Sequence, residues 1–317
     1  ITPTGLLILG DFNAVNGFYT NGTVNVGANT LALTDANDAV FDSAALVTLG
    51  GSGPGQLDAL NGLTLNFGGN ITGYGEVYTS NAIFTPLINN GHITGASAAQ
   101  RITLPGYVKG VGTFDNVNFT GTFAPGLSPT SLVVGNVGFS NSSLLVMELG
   151  GTSPGSGYDQ ILSSGALGFD GTLQLALING FAPAAGQSFN LFDWANVSGT
   201  FDSLTLPTLG AGLSWDTSQL YSAGLLSVST SIPGDFDLDG DVDGRDFLAW
   251  QRGGSPNPFS AGDLGDWQGN YGVGGLATTT AATTLTDNGV SPVPEPASLG
   301  LLLGLMTTIL GGRPFKK

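Results

Sequence analysis

Apolar and polar residues alternate along most of the first 230 positions of this 317-residue chain. Thr23-Val24-Asn25-Val26, Leu31-Ala32-Leu33, Leu63-Thr64-Leu65-Asn66-Phe67 and Leu173-Gln174-Leu175-Ala176-Leu177 all repeat with period two. Turn pairs break the runs at Asn16-Gly17, Asn21-Gly22, Asn61-Gly62, Asn90-Gly91 and Asn179-Gly180. Period two bounded by Gly and Asn predicts strands, and no capped helical pattern interrupts it. Between about 60 and 125 the units become short and loosely self-similar: Gly69-Asn70-Ile71-Thr72-Gly73-Tyr74-Gly75, Asn90-Gly91-His92-Ile93-Thr94-Gly95, Lys109-Gly110-Val111-Gly112-Thr113-Phe114. A brief strand followed by a tight corner suits stacked coils of a parallel β-helix, where Gly supplies positive φ and Asn tolerates it. A β-sandwich is the alternative all-β arrangement.

The segment Gly121-Thr122-Phe123-Ala124-Pro125-Gly126-Leu127-Ser128-Pro129, followed by Met147-Glu148-Leu149-Gly150-Gly151 and Gly157-Tyr158-Asp159-Gln160, resembles the terminal region of bacterial proteins with autotransporter-associated β-strand repeats. The resemblance spans about residues 60–228. It implies a solenoid closed by an antiparallel cap, with cap strands near 132–149, 161–178, 186–193 and 220–229 covering the exposed sheet edge.

After position 230 the pattern changes to acids at alternate positions: Asp235, Asp237, Asp239, Asp241 and Asp243, with Gly240 among them and Asp246 three residues on. A twelve-residue calcium loop places oxygens at positions 1, 3, 5, 7, 9 and 12 and Gly at 6. Asp235, Asp237 and Asp239 fall at the first three, Asp241 offers its backbone carbonyl at the fourth, and Asp243 and Asp246 complete the set. Six carboxylates in so short a loop repel one another, so a cation is expected to assist folding as well as to bind. An acid other than Glu at the last position, and no helical pattern before Asp235, resemble the type I dockerin loop. A second half-copy aligns Asp246-Phe247-Leu248-Ala249-Trp250-Gln251 with Asp263-Leu264-Gly265-Asp266-Trp267-Gln268. Its loop lacks acids at the early positions, so one Ca2+ ion is expected. Phe247, Trp250, Leu264, Trp267 and Tyr271 are expected to form a shared core, joined by Val242. The resemblance implies a cohesin-like partner, although Gly244 and Arg245 stand where dockerins often carry docking hydroxyls.

The chain ends on Val293-Pro294-Glu295-Pro296, an uncharged stretch over 297–312, and Arg313, Lys316 and Lys317. Sixteen residues span about 24 Å as a helix, slightly less than a hydrocarbon core. The basic end is expected to stay cytoplasmic, leaving the body outside. In this order the parts resemble the PEP-CTERM sorting signal of bacteria that export exopolysaccharide. That resemblance implies export, transient retention in the inner membrane, and processing by an exosortase-type membrane enzyme. Ile at position 1 leads to the expectation of a removed signal segment. The expected class is therefore all-β: a β-solenoid over 1–125, an antiparallel β-rich cap over 126–230, and a small α-helical dockerin-like calcium module over 231–273. A Thr/Ala-rich linker over 274–291 and a sorting signal with a membrane helix over 292–317 follow.

Charge narrows the partners. Seven Lys plus Arg stand against 23 Asp plus Glu, for a net charge of −16, which argues against nucleic acid. The absence of Cys excludes disulfides and thiolate metal sites. Catalytic side chains are sparse. His92 is the only His; Arg101 and Lys109 are the sole basic pair in the first 230 residues; Asp35, Asp38 and Asp42 make the densest acidic cluster there. Each is read first as a turn or surface residue. Tyr74, Tyr78, Tyr107, Phe114, Phe119 and Phe123 are read mainly as core, with a sugar-stacking face as the other option. The expectation is a non-catalytic, exported surface or matrix protein with structural or adhesive function. The alternative is a secreted polysaccharide-binding or polysaccharide-degrading β-helix protein, with exopolysaccharide as partner.

Overall fold

In a computed structural model the chain is described over residues 6–9, 18–34, 37–210 and 212–274. Three parallel sheets account for most of it. The chain visits them in fixed rotation, as in Thr30–Leu33, Ala39–Phe41, Leu46–Leu49 and then Gly55–Ala59 back on the first sheet. Through the first coils a strand therefore pairs with the one three elements later, in parallel: Leu31 with Leu57, Phe41 with Leu65, Val47 with Ile71. The architecture is β-rich and built on long parallel sheets, consistent with the expected solenoid.

Alternation places one residue class inside. Leu31, Leu57, Val77, Ile102 and Val117 of the first sheet, Phe41 and Leu65 of the second, and Val47, Ile71, Ile93 and Phe114 of the third are all buried. Corners need special backbone. Gly73 has φ +107°, and a Cβ there would stand 1.9 Å from the Leu49 carbonyl oxygen. Only Gly lets one coil's corner lie so closely on the next. Asn89 points inward yet is satisfied, since Nδ2 donates to Thr113 O (3.0 Å) and Oδ1 accepts from Gly91 N (3.0 Å). Asn116, at φ +51°, accepts at Oδ1 from Nδ2 of Asn136 one coil further on (3.2 Å). Along the axis Phe119 stacks on Phe123 (4.1 Å, 15°) and on Phe139 (5.5 Å), and Phe139 stacks on Phe169 (6.4 Å).

The expected cap over 126–230 is much smaller than the sequence suggested. Ser131–Val134, Leu144–Leu149, Gln160–Phe169, Thr172–Leu177 and Phe192–Gly199 all pair in parallel, and parallel pairing persists to Ser203–Thr205. The antiparallel part comprises Ser188–Asn190, Leu225–Thr230 and Leu213–Asp216. A short helix, α1 (Leu220–Ala223), leads into Gly224 at φ +70°. Period two reports which face a side chain occupies, whereas strand direction depends on the partner. The Phe139 and Phe169 rings extend the same axial stack, so coil follows coil. Gly224 O accepts from Leu191 N (2.9 Å) and Phe192 N (3.3 Å), and Tyr221 packs on Phe201 and Phe169, so this small sheet and α1 cover part of the last coil.

Asp159 is the most deeply buried carboxylate of the parallel body, fully enclosed. Its Oδ1 accepts from Thr130 N (2.8 Å) and its Oδ2 from Glu148 N (2.7 Å), tying two coils to the loop before Gln160. Burial, opposed by those two N–H donors, pushes its pKa up to about 7. A raised folded-state pKa means that the protonated form is favoured in the fold. The contribution is fully present below about pH 4 and is lost as pH rises through about 7. The body is therefore expected to unfold at lower urea concentration at about pH 8 than at about pH 5, by about 2–3 kcal/mol. Asp159→Asn should flatten that difference; an unchanged difference would refute the assignment.

Among the described residues no helix is long and apolar enough to cross a membrane. The expected apolar helix over 297–312, the sorting residues Val293, Pro294, Glu295 and Pro296, the linker and Asp35 lie outside the described residues.

Candidate metal centre

Two helices follow the antiparallel sheet: α2 (Gly244–Gln251) and α3 (Ala261–Asn270). The acidic loop leads into α2. Asp243 is its N-cap and accepts from Arg245 N (2.6 Å), while Asp246 returns a bond by accepting from Asp243 N (2.8 Å) at Oδ2. This reciprocal cap uses two of the donors that a helix start leaves free. Asp246 does more. Its Oδ1 accepts from Phe236 N (2.6 Å) and Asp237 N (3.1 Å), so one fully buried carboxylate holds both ends of the loop.

The other acids line the turn. Asp235 Oδ2 accepts from Gly240 N (3.1 Å), Asp237 Oδ1 from Asp239 N (3.4 Å), and Asp239 Oδ1 from Asp241 N (3.2 Å). Gly240 adopts φ +94°, as position 6 of such a loop demands. Val242 is buried, and its backbone bonds to Val273 O (2.8 Å) and Gly272 N (2.7 Å), closing the loop against the segment after α3.

All six sequence-predicted ligands thus lie in one loop, and they gather as two groups: Asp235, Asp237, Asp239, and Asp241, Asp243, Asp246. Within each group one oxygen per residue lies within 4.8 Å of the others. That is about twice a Ca–O distance, the span across one ion's shell. Asp235 Oδ1 and Asp241 Oδ1 are buried without any hydrogen-bond partner, a costly condition that a cation would relieve. Burial, reinforced by Asp246 and Asp239, raises the pKa of Asp235 and of Asp237; burial with Asp239 and Asp243 raises that of Asp241. An all-oxygen, acid-rich donor set fits a hard divalent ion. Asp235, Asp237, Asp239, Asp243 and Asp246 would hold it by side chains, and Asp241, expected to offer its carbonyl, also presents the buried, unpartnered Oδ1.

The second half-copy lacks the acids but keeps the frame. Buried Asp263 stands in the first turn of α3 as Asp246 does in α2, accepting from Asn257 N (2.7 Å) and Nδ2 (3.3 Å). Those bonds, the backbone one first, lower its pKa. The two indoles cross over. Trp250 Nε1 donates to Ser260 O, the N-cap of α3 (3.2 Å), and Trp267 Nε1 donates to Asp243 O, the N-cap of α2 (2.7 Å). Phe247 packs on Trp250 and Trp267 at 5.7 and 4.8 Å. Tyr271 touches Trp267 at 5.3 Å but is 61% exposed, so it edges this core rather than filling it.

The residues weighed for catalysis do not converge. His92 lies at an exposed strand position with Nδ1 2.6 Å from Thr113 Oγ1. Arg101 donates to Ala98 O, Val117 O and Asn118 Oδ1 on the first sheet, whereas Lys109 belongs to the second. Asp42 accepts from Tyr19 Oη and from Asn66 Nδ2, bonds that lower its pKa. Phe114, Phe119 and Phe123 are core; Tyr78 is partly exposed and Tyr74 and Tyr107 half-buried. Asp159 stands in the segment Gly157-Tyr158-Asp159-Gln160, but nothing in that stretch marks it as a buried carboxylate that ties coils together. Compared with known protein families, curated proteins and solved structures, the chain matches none.

Proposed function

We propose that this protein is an exported, non-catalytic surface or matrix component: a rod of parallel coils, a calcium-stiffened helical module, and a C-terminal sorting signal processed by an exosortase-type enzyme. The observation that carries the cation part is the pair of buried, unpartnered carboxylate oxygens on Asp235 and Asp241 in an acid-lined loop. The parallel sheets support a spacer role, since stacked coils give reach with contacts only between neighbours. The dockerin-like half-repeat supports a protein partner of cohesin type, and export supports exopolysaccharide as the surrounding medium.

Calcium titration tests the first part. One ion per chain is expected by calorimetry, with affinity falling as pH is lowered through the carboxylate range because protons compete. At a hundredfold excess over Kd the ion should stabilise the module by about 2.7 kcal/mol, reversed by chelator. Asp239→Ala should abolish the calcium heat; an unaltered titration would refute the loop assignment. For sorting, replacing Pro294, Glu295 and Pro296 by Ala in a bacterium that carries an exosortase should hold full-length protein in the membrane fraction. Normal release of that variant would count against the tail reading.

A further inference from the structure

The acidic loop carries one cation of its own, in an unexpected place. Among the described residues Arg245 makes the only ion pair, from Nη1 to Asp239 Oδ2 at 3.4 Å. Residues 235–246 hold six Asp and this single basic side chain. Arg245 lies in the first turn of α2, two residues past the N-cap Asp243. A helix start carries partial positive charge, so a cation is disfavoured there. Arg252, the C-cap of the same helix, stands at the end where the dipole favours it. Helix stability therefore does not account for Arg245, whereas the acids beside it do.

The contact is of a kind that exchanges. Asp239 uses Oδ1 to accept from Asp241 N (3.2 Å), and the guanidinium takes the remaining oxygen. The pair is near the outer limit of a hydrogen bond, and the Arg245 side chain is 74% exposed. Ion pairs so long and so well solvated are weak. The charge also reaches past its direct partner: burial and the neighbouring acids raise the Asp241 pKa, and Arg245 acts against them. A divalent ion entering the loop must take Asp239 from the guanidinium, and it does so against a charge of its own sign.

We infer that Arg245 is an internal counter-ion that sets the calcium affinity of the loop: it neutralises Asp239 until the ion enters, and ion entry releases it. The inference rests on the cation reading above. The test is calcium calorimetry on the full chain and three variants. Arg245→Gln keeps much of the side chain's length and polarity but loses its charge. It should bind calcium about three- to tenfold more tightly, and the gap should narrow at high salt. Arg245→Lys, which keeps the charge, and Arg252→Gln, which removes a charge at the far end of α2, should each stay within about twofold of the parent. In the parent chain the Arg245 side-chain NMR resonance should move on calcium addition while that of Arg252 does not. Less than threefold tightening by Arg245→Gln, or weaker binding, overturns this inference alone. Equal tightening by Arg252→Gln also overturns it, since net charge would then explain the effect. Failure of the parent chain to bind calcium overturns the cation reading and this inference together.

Discussion

Phe123→Ala is expected to destabilise the parallel body by about 3–5 kcal/mol, read as a fall in the urea midpoint at unchanged slope. Phe123 is 1% exposed and touches three other rings: Phe119 at 4.1 Å, Phe114 at 5.4 Å and Phe139 at 6.4 Å. Its strand is fixed in register between Tyr107–Gly110 and Leu144–Leu149. The hydrogen-bond ladder sets the coil spacing, so the neighbours cannot collapse into the space left. Transfer and cavity terms then add, which places the cost at the upper end for core truncation. Phe67→Ala is the control. That ring is 83% exposed, and its loss should lie within about 0.5 kcal/mol of zero. Equal shifts for the two variants would show that the axial ring stack contributes nothing special.

Asp246→Ala should have the largest effect in the helical module, again about 3–5 kcal/mol, together with loss of the calcium heat. Two opposing terms act. Removing one carboxylate relieves repulsion from Asp235 and Asp237, whose pKa values it helps to raise. Against that stand three hydrogen bonds to a buried charged acceptor, each worth about 1.5–3 kcal/mol, one of which closes the reciprocal helix cap. The second set wins because the donors at Phe236, Asp237 and Asp243 lose their acceptor in a confined turn. Amide exchange should rise at these three positions and along α2. The exposed Asp266→Ala should change neither exchange nor calcium binding, and matching behaviour of the two variants would refute the account.

Much of this was legible in the chain. Val24, Val26, Leu31, Leu33, Leu63 and Leu65 are inward as period two requires, and the turn pairs at Asn21, Asn61, Asn90 and Asn179 fall between strands. The acidic loop was legible for a similar reason: its spacing is short-range, and Asp243 and Asp246 are placed by helix capping rather than by distant contacts. Beyond position 125 pairing direction was not legible. Leu144–Leu149 and Thr172–Leu177 read equally well in either sense, and only stacking on the preceding coil decides it. The crossed indoles were half visible, since the Trp-Gln repeat marks both helices but not which carbonyl each ring reaches. The bridging role of Asp159 depends on residues brought together from distant strands and loops, and no local pattern encodes it.

The fixed rotation of strands has an evolutionary corollary. Since each turn touches only the one before and the one after, an in-frame duplication of about two dozen residues inserts a whole turn without disturbing the ends. Such an event lengthens the rod by about 4.8 Å and leaves both termini of the stack unchanged. The length of the stack can therefore be adjusted in discrete steps by gene slippage alone, independently of what flanks it.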